Sequence, residues 1–241
     1  MDISIVITSF NYERYLGKCL ESCINQNCCN LEYEIIVVDD GSTDGTDYIL
    51  SQSFPENVKI YRIENSGIEL ASNYGFSKSK GDYIVRVDAD DILLPSYIAT
   101  MEDYLTNEYG FFYSNYQVIN HNGILVREFE LPEFDPKEIQ KRGDFLATGT
   151  LVKAELIKCL NGYNTVLINS GLENYEFILK LIQLGEFGQH VPQTLFGYRR
   201  HGGNISNLKK EQIIQNGKDL FEKNGFGIFQ TNEFHPYGLK I

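Results

Sequence analysis

The fold is decided by the stretch GDYIVRVDADD, which runs from Gly81 to Asp91. Residues 83–88 have the apolar, β-branched composition of a strand covered on both faces, and acidic residues follow directly. Three earlier apolar segments also end in polar residues: 3–8, 34–39 and 58–63. Apolar residues at helical spacing lie between them, over 12–24 and 68–80. The alternation of strands and helices predicts an α/β fold, a doubly wound sheet with right-handed crossovers.

The polar segments at the strand ends predict a ligand-binding cleft. In doubly wound sheets, ligands bind beyond the carboxyl ends of the strands. Four such segments follow the four predicted strands: 8–11, 39–40, 64–67 and 88–91. We therefore expect their side chains to line one cleft.

The second half of the chain is less regular. Strand-like segments at 111–120 and 124–131 flank Asn122-Gly123, which is a strong hairpin signal. Helices are predicted over 173–184 and 208–223, with extended chain at 187–200. In the earlier helix over 68–80, we expect Leu70, Ala71 and Tyr74 to face the sheet.

Composition limits the classes of function. The 241 residues include 33 acidic and 21 basic side chains, so the formal net charge is −12. A protein that neutralises phosphate backbones needs a basic face, so we expect no nucleic-acid partner. The longest apolar runs fall far short of the roughly 20 residues that span a bilayer. We predict no transmembrane segment and at most weak peripheral membrane contact.

The cysteines point to a reducing compartment. Five cysteines, an odd number without zinc-ribbon or zinc-finger spacing, exclude a full disulfide framework. We therefore expect a cytoplasmic protein. Cys19 and Cys23 stand four residues apart on the first predicted helix. They are either a metal or redox pair or, more simply, small buried hydrophobic residues.

Asp88 and Asp90 are the leading candidates for metal ligands. Residues two apart on extended chain point to the same side, so both carboxylates can converge on one divalent ion. Mg²⁺ and Mn²⁺ prefer such oxygen ligands and take others from water or from a substrate diphosphate. The plainer alternative is an acidic turn between a strand and a helix. Neither GxGxxG nor GxxxxGK[ST] occurs, so phosphates are not bound by the glycine amides of those motifs.

Four segments together closely resemble family 2 glycosyltransferases of the GT-A fold: Ile5–Asn11, Asp39–Thr46, Gly67–Gly75 and Gly81–Asp91. The combined pattern is specific, although each piece alone is weak. The resemblance implies a mixed sheet with a Rossmann-like nucleotide-binding half and an acceptor-binding half. We expect a single domain over 1–241 with three parts: 1–110 for the nucleotide sugar, 111–206 for acceptor and catalysis, and 207–241 for a terminal helix and tail.

The resemblance also implies substrates and donor-site residues. The substrates are a nucleotide-diphosphate sugar, usually a UDP sugar, and a glycan or glycoconjugate acceptor, with Mn²⁺ or Mg²⁺ and inversion at the anomeric carbon. By position, Phe10 stacks on the base, Thr8 lines the nucleotide pocket and Asp39 hydrogen-bonds the base. Asp88 and Asp90 serve the ribose and the metal. An aromatic face suits a planar base, but Phe10 has a plainer reading as a core residue.

Inverting transfer needs a general base for the acceptor hydroxyl. Family members usually supply it from a Glu-Asp pair that opens a helix, and the matching segment here contains Glu173 and Asn174. An amide cannot accept that proton, so we predict Glu173 as the base, with Glu176 as second choice. The alternative for Glu173 is a favourable charge at a helix N-terminus.

The segment Tyr198–Ser206 resembles the family's tyrosine, arginine and histidine motif. The resemblance gives His201 a role in the metal shell or at the diphosphate. Arg199 or Arg200 can neutralise charge on the leaving phosphates.

Three functional hypotheses follow. The first is a metal-assisted inverting glycosyltransferase. The second, motivated by Asn174, is a catalytically silent module that binds nucleotide sugars. The third is a nucleotidyltransferase of similar fold, which is disfavoured because we find no glycine- and basic-rich activating loop near the N-terminus.

Overall fold

Within the residues that the structure describes, nine strands form one mixed sheet. A computed structural model of the chain describes residues 1–28, 30–106, 108–142, 146, 149–204 and 208–231. The strands are β1 (Ile3–Ser9), β2 (Tyr33–Asp39), β3 (Val58–Arg62), β4 (Tyr83–Asp88), β5 (Ile92–Leu93), β6 (Phe111–Asn120), β7 (Leu125–Phe129), β8 (Leu151–Lys153) and β9 (Gly188–Arg200). The helices are α1 (Glu13–Ile24), α2 (Thr46–Leu50), α3 (Ile68–Lys78), α4 (Tyr97–Glu102), α5 (Pro136–Arg142), α6 (Ala154–Cys159), α7 (Glu173–Gln183) and α8 (Lys210–Asn224).

The strand order is β3-β2-β1-β4-β8-β6-β9-β5, with β7 paired to β6. The first four strands run parallel, whereas β8 pairs antiparallel with β4 and with β6. In register, Thr8 lies opposite Asp88, and Ser9 lies opposite Asp39. The predicted doubly wound α/β sheet is therefore confirmed, and its register gathers the polar strand ends at one edge.

Most of the predicted elements are present, including the hairpin of β6 and β7. Sequence patterns also indicate helices through Tyr48–Leu50, after Pro95 and over 137–142, which correspond to α2, α4 and α5. The elements that sequence patterns did not predict are β5, β8 and α6. Two of them are only two and three residues long, too short to show a period.

The parallel strands carry the core. All seven residues of β1 are buried, and so are six of the seven residues of β2. On α3, Ala71 faces inward as expected, but Leu70 is 41% exposed. Its neighbour Glu69 is fully buried instead. At Gly75, a Cβ atom would overlap Val6, so only glycine lets α3 pack this close to the sheet.

Among the described residues, we find no helix of the length and apolarity needed to cross a membrane. The division into parts at residues 110 and 206 stays a prediction, and most of the expected tail, 232–241, lies outside the described residues.

Candidate active site

A cleft of about 270 Å³ opens beyond the carboxyl ends of the parallel strands. One wall comes from the end of β1, with Thr8 and Phe10. The opposite wall comes from the start of α7 and the loop before it, with Glu173 and Asn169. The cleft therefore joins both halves of the chain.

The acidic turn after β4 forms the floor of the cleft. Carboxylate oxygens of Asp88, Asp90 and Asp91 all lie within 4.8 Å of one another, and Asp88 and Asp90 line the cleft. Burial raises the pKa of Asp88 to about 6; Arg86 opposes this shift, and the charges of Asp90 and Glu173 add to it. Clustered carboxylate oxygens fit a hard divalent cation such as Mg²⁺ or Mn²⁺.

His201 lies against this floor. Its Nε2 is 2.9 Å from Asp90 Oδ2, and Asn204 Nδ2 donates to the same oxygen at 3.3 Å. The ring stacks on Tyr15, with 4.7 Å between centroids. The structure therefore brings His201 and Asp90 together as the resemblance implied.

Tyr12 covers the acids from the side of α1. It lines the cleft, and burial, with smaller contributions from Asp90 and Asp88, raises the pKa of its hydroxyl well above the usual range. Beneath the turn, the thiol of Cys19 donates to the carbonyl oxygen of Asp88 at 3.5 Å. Cys19 and Cys23 are both fully buried, which agrees with the simpler reading of the pair as small hydrophobic residues.

Several buried polar atoms at the ends of β1 and β2 lack a hydrogen-bond partner among the described residues. Thr8 Oγ1 and Ser9 Oγ are buried and make no hydrogen bond within the described part of the chain. Asp39 Oδ2 is buried and makes no hydrogen bond there either, but it pairs with the Arg62 guanidinium, whose Nε lies 3.6 Å away. Asp39 Oδ1 accepts from the backbone of Ser42 at 3.0 Å, and the residue itself does not line the cleft. Buried polar atoms without partners are rare and call for an explanation, of which a bound ligand is one.

Asp40, not Asp39, lines the cleft beside these atoms. Its carboxylate accepts from the backbone N–H groups of Ser66 at 2.7 Å and of Gly67 at 2.9 Å. Asp40 therefore fixes the loop after β3 as a wall of the cleft. Phe10 is 42% exposed on the cleft, so the reading of Phe10 as a core aromatic is not supported.

The candidate bases occupy different positions on α7. Glu173 lines the cleft, and its Oε1 accepts from Arg86 Nη1 at 3.0 Å. Glu176 does not line the cleft; its Oε1 accepts from Asn164 Nδ2 at 2.8 Å and from Lys180 Nζ at 2.6 Å. Asn174 also lines the cleft. The geometry thus favours Glu173 over Glu176.

The two arginines at the end of β9, Arg199 and Arg200, do not line the cleft. Arg199 is only 4% exposed, and its Nε donates to the backbone oxygen of Asp90 at 2.6 Å. Its backbone N–H donates to Asp91 Oδ1 at 2.7 Å. Arg199 therefore braces the acidic turn from behind, whereas we had expected Arg199 or Arg200 to meet the leaving phosphates. Arg200 is half-buried at the end of β9.

Sequence reasoning predicted Asp40 at the cleft through segment 39–40, but gave no role to several other residues that line it, among them Tyr12, Arg86 and Asn204. Arg86 left a usable signal, because a lone cation inside an otherwise apolar strand, two positions before Asp88, must share the side of that carboxylate. Asn204 lies within the segment Tyr198–Ser206 that resembles the family motif, but the resemblance gave this asparagine no role of its own.

Comparisons with known proteins agree with the geometry. A family model for "Glycosyl transferase family 2" matches residues 4–158, which is more than half of the chain. The hyaluronan synthase of Pasteurella multocida is 29% identical over 245 residues, covering 96% of this chain. This chain spans only 24% of the length of that synthase.

Solved structures share the fold. S. aureus TarS in complex with UDP-GlcNAc has a TM-score of 0.75 at 19% identity, covering 92% of this chain and 66% of that one. The mannosyltransferase PcManGT of Pyrobaculum calidifontis, in complex with GDP-Man and Mn²⁺, has a TM-score of 0.70 at 16% identity, covering 92% of this chain and 63% of that one. The GT-A fold is confirmed by these likenesses. Because the family model matches more than half of this chain, the chain belongs to glycosyl transferase family 2.

Proposed function

We propose that this chain transfers a sugar from a nucleotide-diphosphate sugar, a UDP sugar in the first instance, to a hydroxyl of a glycan or glycoconjugate. The observation that carries the proposal is the cleft, which holds Asp88 and Asp90 on its floor and Glu173 on the opposite wall. A donor and an acceptor can then meet between the two sets of carboxylates.

The proposal that the donor nucleotide binds here is supported by buried polar atoms that lack a hydrogen-bond partner among the described residues. Thr8 Oγ1 and Ser9 Oγ, which belong to residues that line the cleft, offer hydrogen bonds to a base or its ribose. A hydrogen bond from Asp39 to the base stays a prediction of the resemblance. Phe10 offers an exposed aromatic face for stacking. This combination supports a nucleotide on this wall of the cleft.

The reaction is a single displacement. Glu173 takes the proton of the acceptor hydroxyl while that oxygen forms a bond to the anomeric carbon. The bond from that carbon to the diphosphate oxygen breaks on the opposite face, and the nucleoside diphosphate leaves with the electron pair. Attack and departure on opposite faces invert the anomeric centre.

The acidic floor fits a divalent metal. Asp88 and Asp90, with His201 beside them, would hold Mn²⁺ or Mg²⁺, which would stabilise the negative charge on the departing diphosphate. Arg199 supports the acidic turn from behind, through its hydrogen bond to the backbone oxygen of Asp90, and Tyr12 lines the cleft beside it.

Direct assay tests the proposal. Purified protein is incubated with a panel of nucleotide sugars, candidate acceptors and Mn²⁺ or Mg²⁺, and release of the nucleoside diphosphate is followed. We expect release and transfer with at least one donor, and a large fall in the rate of both, to a low but measurable residual level, in Glu173→Gln. The exposed Glu155→Gln on α6 is a matched control that keeps the wild-type rate. No release with any donor contradicts the proposal.

Asn174 favours a second candidate, a module that binds nucleotide sugars without turnover. It lies in the cleft where the family generally has an acidic residue. This candidate predicts thermal stabilisation by UDP with Mn²⁺ and no product with any donor. The nucleotidyltransferase hypothesis has no support from the family match, which is to glycosyl transferase family 2. The cytoplasmic location of the protein stays a prediction, based on its cysteine content.

A further inference from the structure

Arg86 places a buried cation between the two sets of cleft carboxylates. The side chain is 5% exposed and projects from the middle of β4. Its Nη1 donates to Glu173 Oε1 at 3.0 Å, and its Nη2 lies 3.2 Å from Asp88 Oδ1. The carboxylates of Asp88 and Glu173, 85 positions apart in sequence, are therefore joined through one guanidinium.

The shape of the guanidinium matters here. Its two terminal nitrogens lie in one rigid plane, so the pair of contacts fixes both distance and orientation of the two carboxylates. The face of the group lies near the ring of Tyr163, with Cζ 5.4 Å from the centroid. A lysine offers one compact ammonium group at the end of a flexible stem and cannot hold both carboxylates in this geometry.

We propose that Arg86 is a positioning residue that holds the carboxylate of Glu173 at a fixed place relative to Asp88. This inference rests on the proposed function, in which Glu173 accepts the acceptor proton. Asp88 belongs to the donor side of the cleft, so Arg86 sets the separation between the base and the donor. A displacement of about 1 Å in such a constellation can reduce the rate about 100-fold.

A merely structural role for Arg86 makes a different prediction. If Arg86 only neutralises buried acids, its replacement lowers thermal stability and leaves kcat of the folded fraction unchanged. If it positions Glu173, its replacement lowers kcat in folded protein, and the loss depends on the presence of Glu173.

The experiment is a double-mutant cycle with Arg86→Lys, Glu173→Gln and the combination, measured as kcat on saturating donor and acceptor. We expect Arg86→Lys to lower kcat about 100-fold, and to have less than about a twofold effect in the Glu173→Gln background, where little is left to position. Arg127→Lys on the exposed strand β7 is the matched control and keeps the wild-type kcat. Circular dichroism and thermal melting identify folded protein.

A second variant covers the case in which Arg86→Lys does not fold. Glu173→Asp keeps a carboxylate but withdraws it from Arg86 by one methylene group. We expect a loss of kcat similar to that of Arg86→Lys, with donor KM changed less than kcat.

The outcomes separate the two proposals. Full kcat in Arg86→Lys or Glu173→Asp overturns the positioning role while the transferase function stands. Equal losses from Arg86→Lys in the presence and absence of Glu173 also overturn it, because Arg86 then acts independently. Full activity in Glu173→Gln overturns the assignment of the base itself, and the positioning role with it.

Discussion

His201 donates from Nε2 to Asp90 Oδ2 across 2.9 Å, linking the end of β9 to the acidic turn after β4. The backbone N–H of Gly203 donates to Nδ1 of the same ring at 3.1 Å, which leaves the proton on Nε2. Asn204 adds a second bond to Asp90 Oδ2. The orientation of the Asp90 carboxylate is therefore set by a loop more than 100 residues away in sequence.

Removing the charge of Asp90 tests the metal site. Asp90→Asn loses a carboxylate that faces the cleft and sets an amide against His201, so we expect the Mn²⁺-dependent part of UDP affinity to fall at least about tenfold. Titration calorimetry with UDP, with and without Mn²⁺, measures it. Asp82→Asn, exposed just before β4, is the control. Equal Mn²⁺ dependence in Asp90→Asn and wild type contradicts a metal role for Asp90.

Phe10 gives a test of base stacking that does not depend on catalysis. Phe10→Ala removes the exposed ring from the cleft wall, and stacking of a base on an aromatic side chain is worth about 1–3 kcal/mol. We expect the Kd for UDP to rise by a factor of about 5 to 140, because 1.4 kcal/mol corresponds to a factor of ten. Tyr48→Ala, which removes a ring that is 76% exposed on α2, is the control. An unchanged Kd in Phe10→Ala places the base elsewhere.

Local sequence patterns account for most of the sheet but not for the bracing of its cleft. Continuous apolar runs predicted β1, β2 and β4, because such strands are covered on both faces. On α3, apolar residues at helical spacing placed Leu70 and Ala71 inward; Ala71 is buried, but Leu70 is exposed and its neighbour Glu69 is buried instead. Its partners lie about 100 residues further along the chain, and a local period carries no information about them.

In the candidate site too, local segments predicted some residues, whereas contacts between distant segments were not predicted. Thr8, Phe10, Asp88 and Asp90 were predicted from segments at the strand ends, and all four line the cleft. The arginine contact to Glu173 depends on where α7 docks, which no motif states. Contacts between distant segments thus account for what sequence reasoning missed.

Glu69 provides a test of one such contact. Its two carboxylate oxygens accept from the backbone N–H groups of Asn169 at 2.8 Å and Ser170 at 2.9 Å, and so hold the loop that leads to Glu173. Glu69→Gln leaves one of these N–H groups without an acceptor, which costs about 1–3 kcal/mol in the free energy of unfolding. We also expect kcat to fall, because the loop carries the base.

Urea denaturation and steady-state kinetics measure both effects of Glu69→Gln. The exposed Glu64→Gln, before α3, is the control and leaves both unchanged. Wild-type stability in Glu69→Gln means that the two hydrogen bonds contribute nothing to the loop.

Glu34 predicts a pH dependence of stability away from the cleft. Burial alone would raise its pKa, but hydrogen bonds from Lys59 at 2.5 Å, the Lys80 backbone at 2.7 Å and Ser4 at 2.9 Å lower the pKa overall. The folded state therefore binds fewer protons than the unfolded state. The stabilisation from the Glu34 charge is complete above the pKa of unfolded glutamate and is lost as the pH falls through the lower pKa of the folded state.

Glu34→Gln should lower the free energy of unfolding by about 1–3 kcal/mol at pH 7. In urea titrations this difference shrinks as the pH falls below about 4, near the ordinary pKa of glutamate. Glu32→Gln, 78% exposed, shows no such trend, and a difference that stays constant with pH contradicts the role of the Glu34 charge.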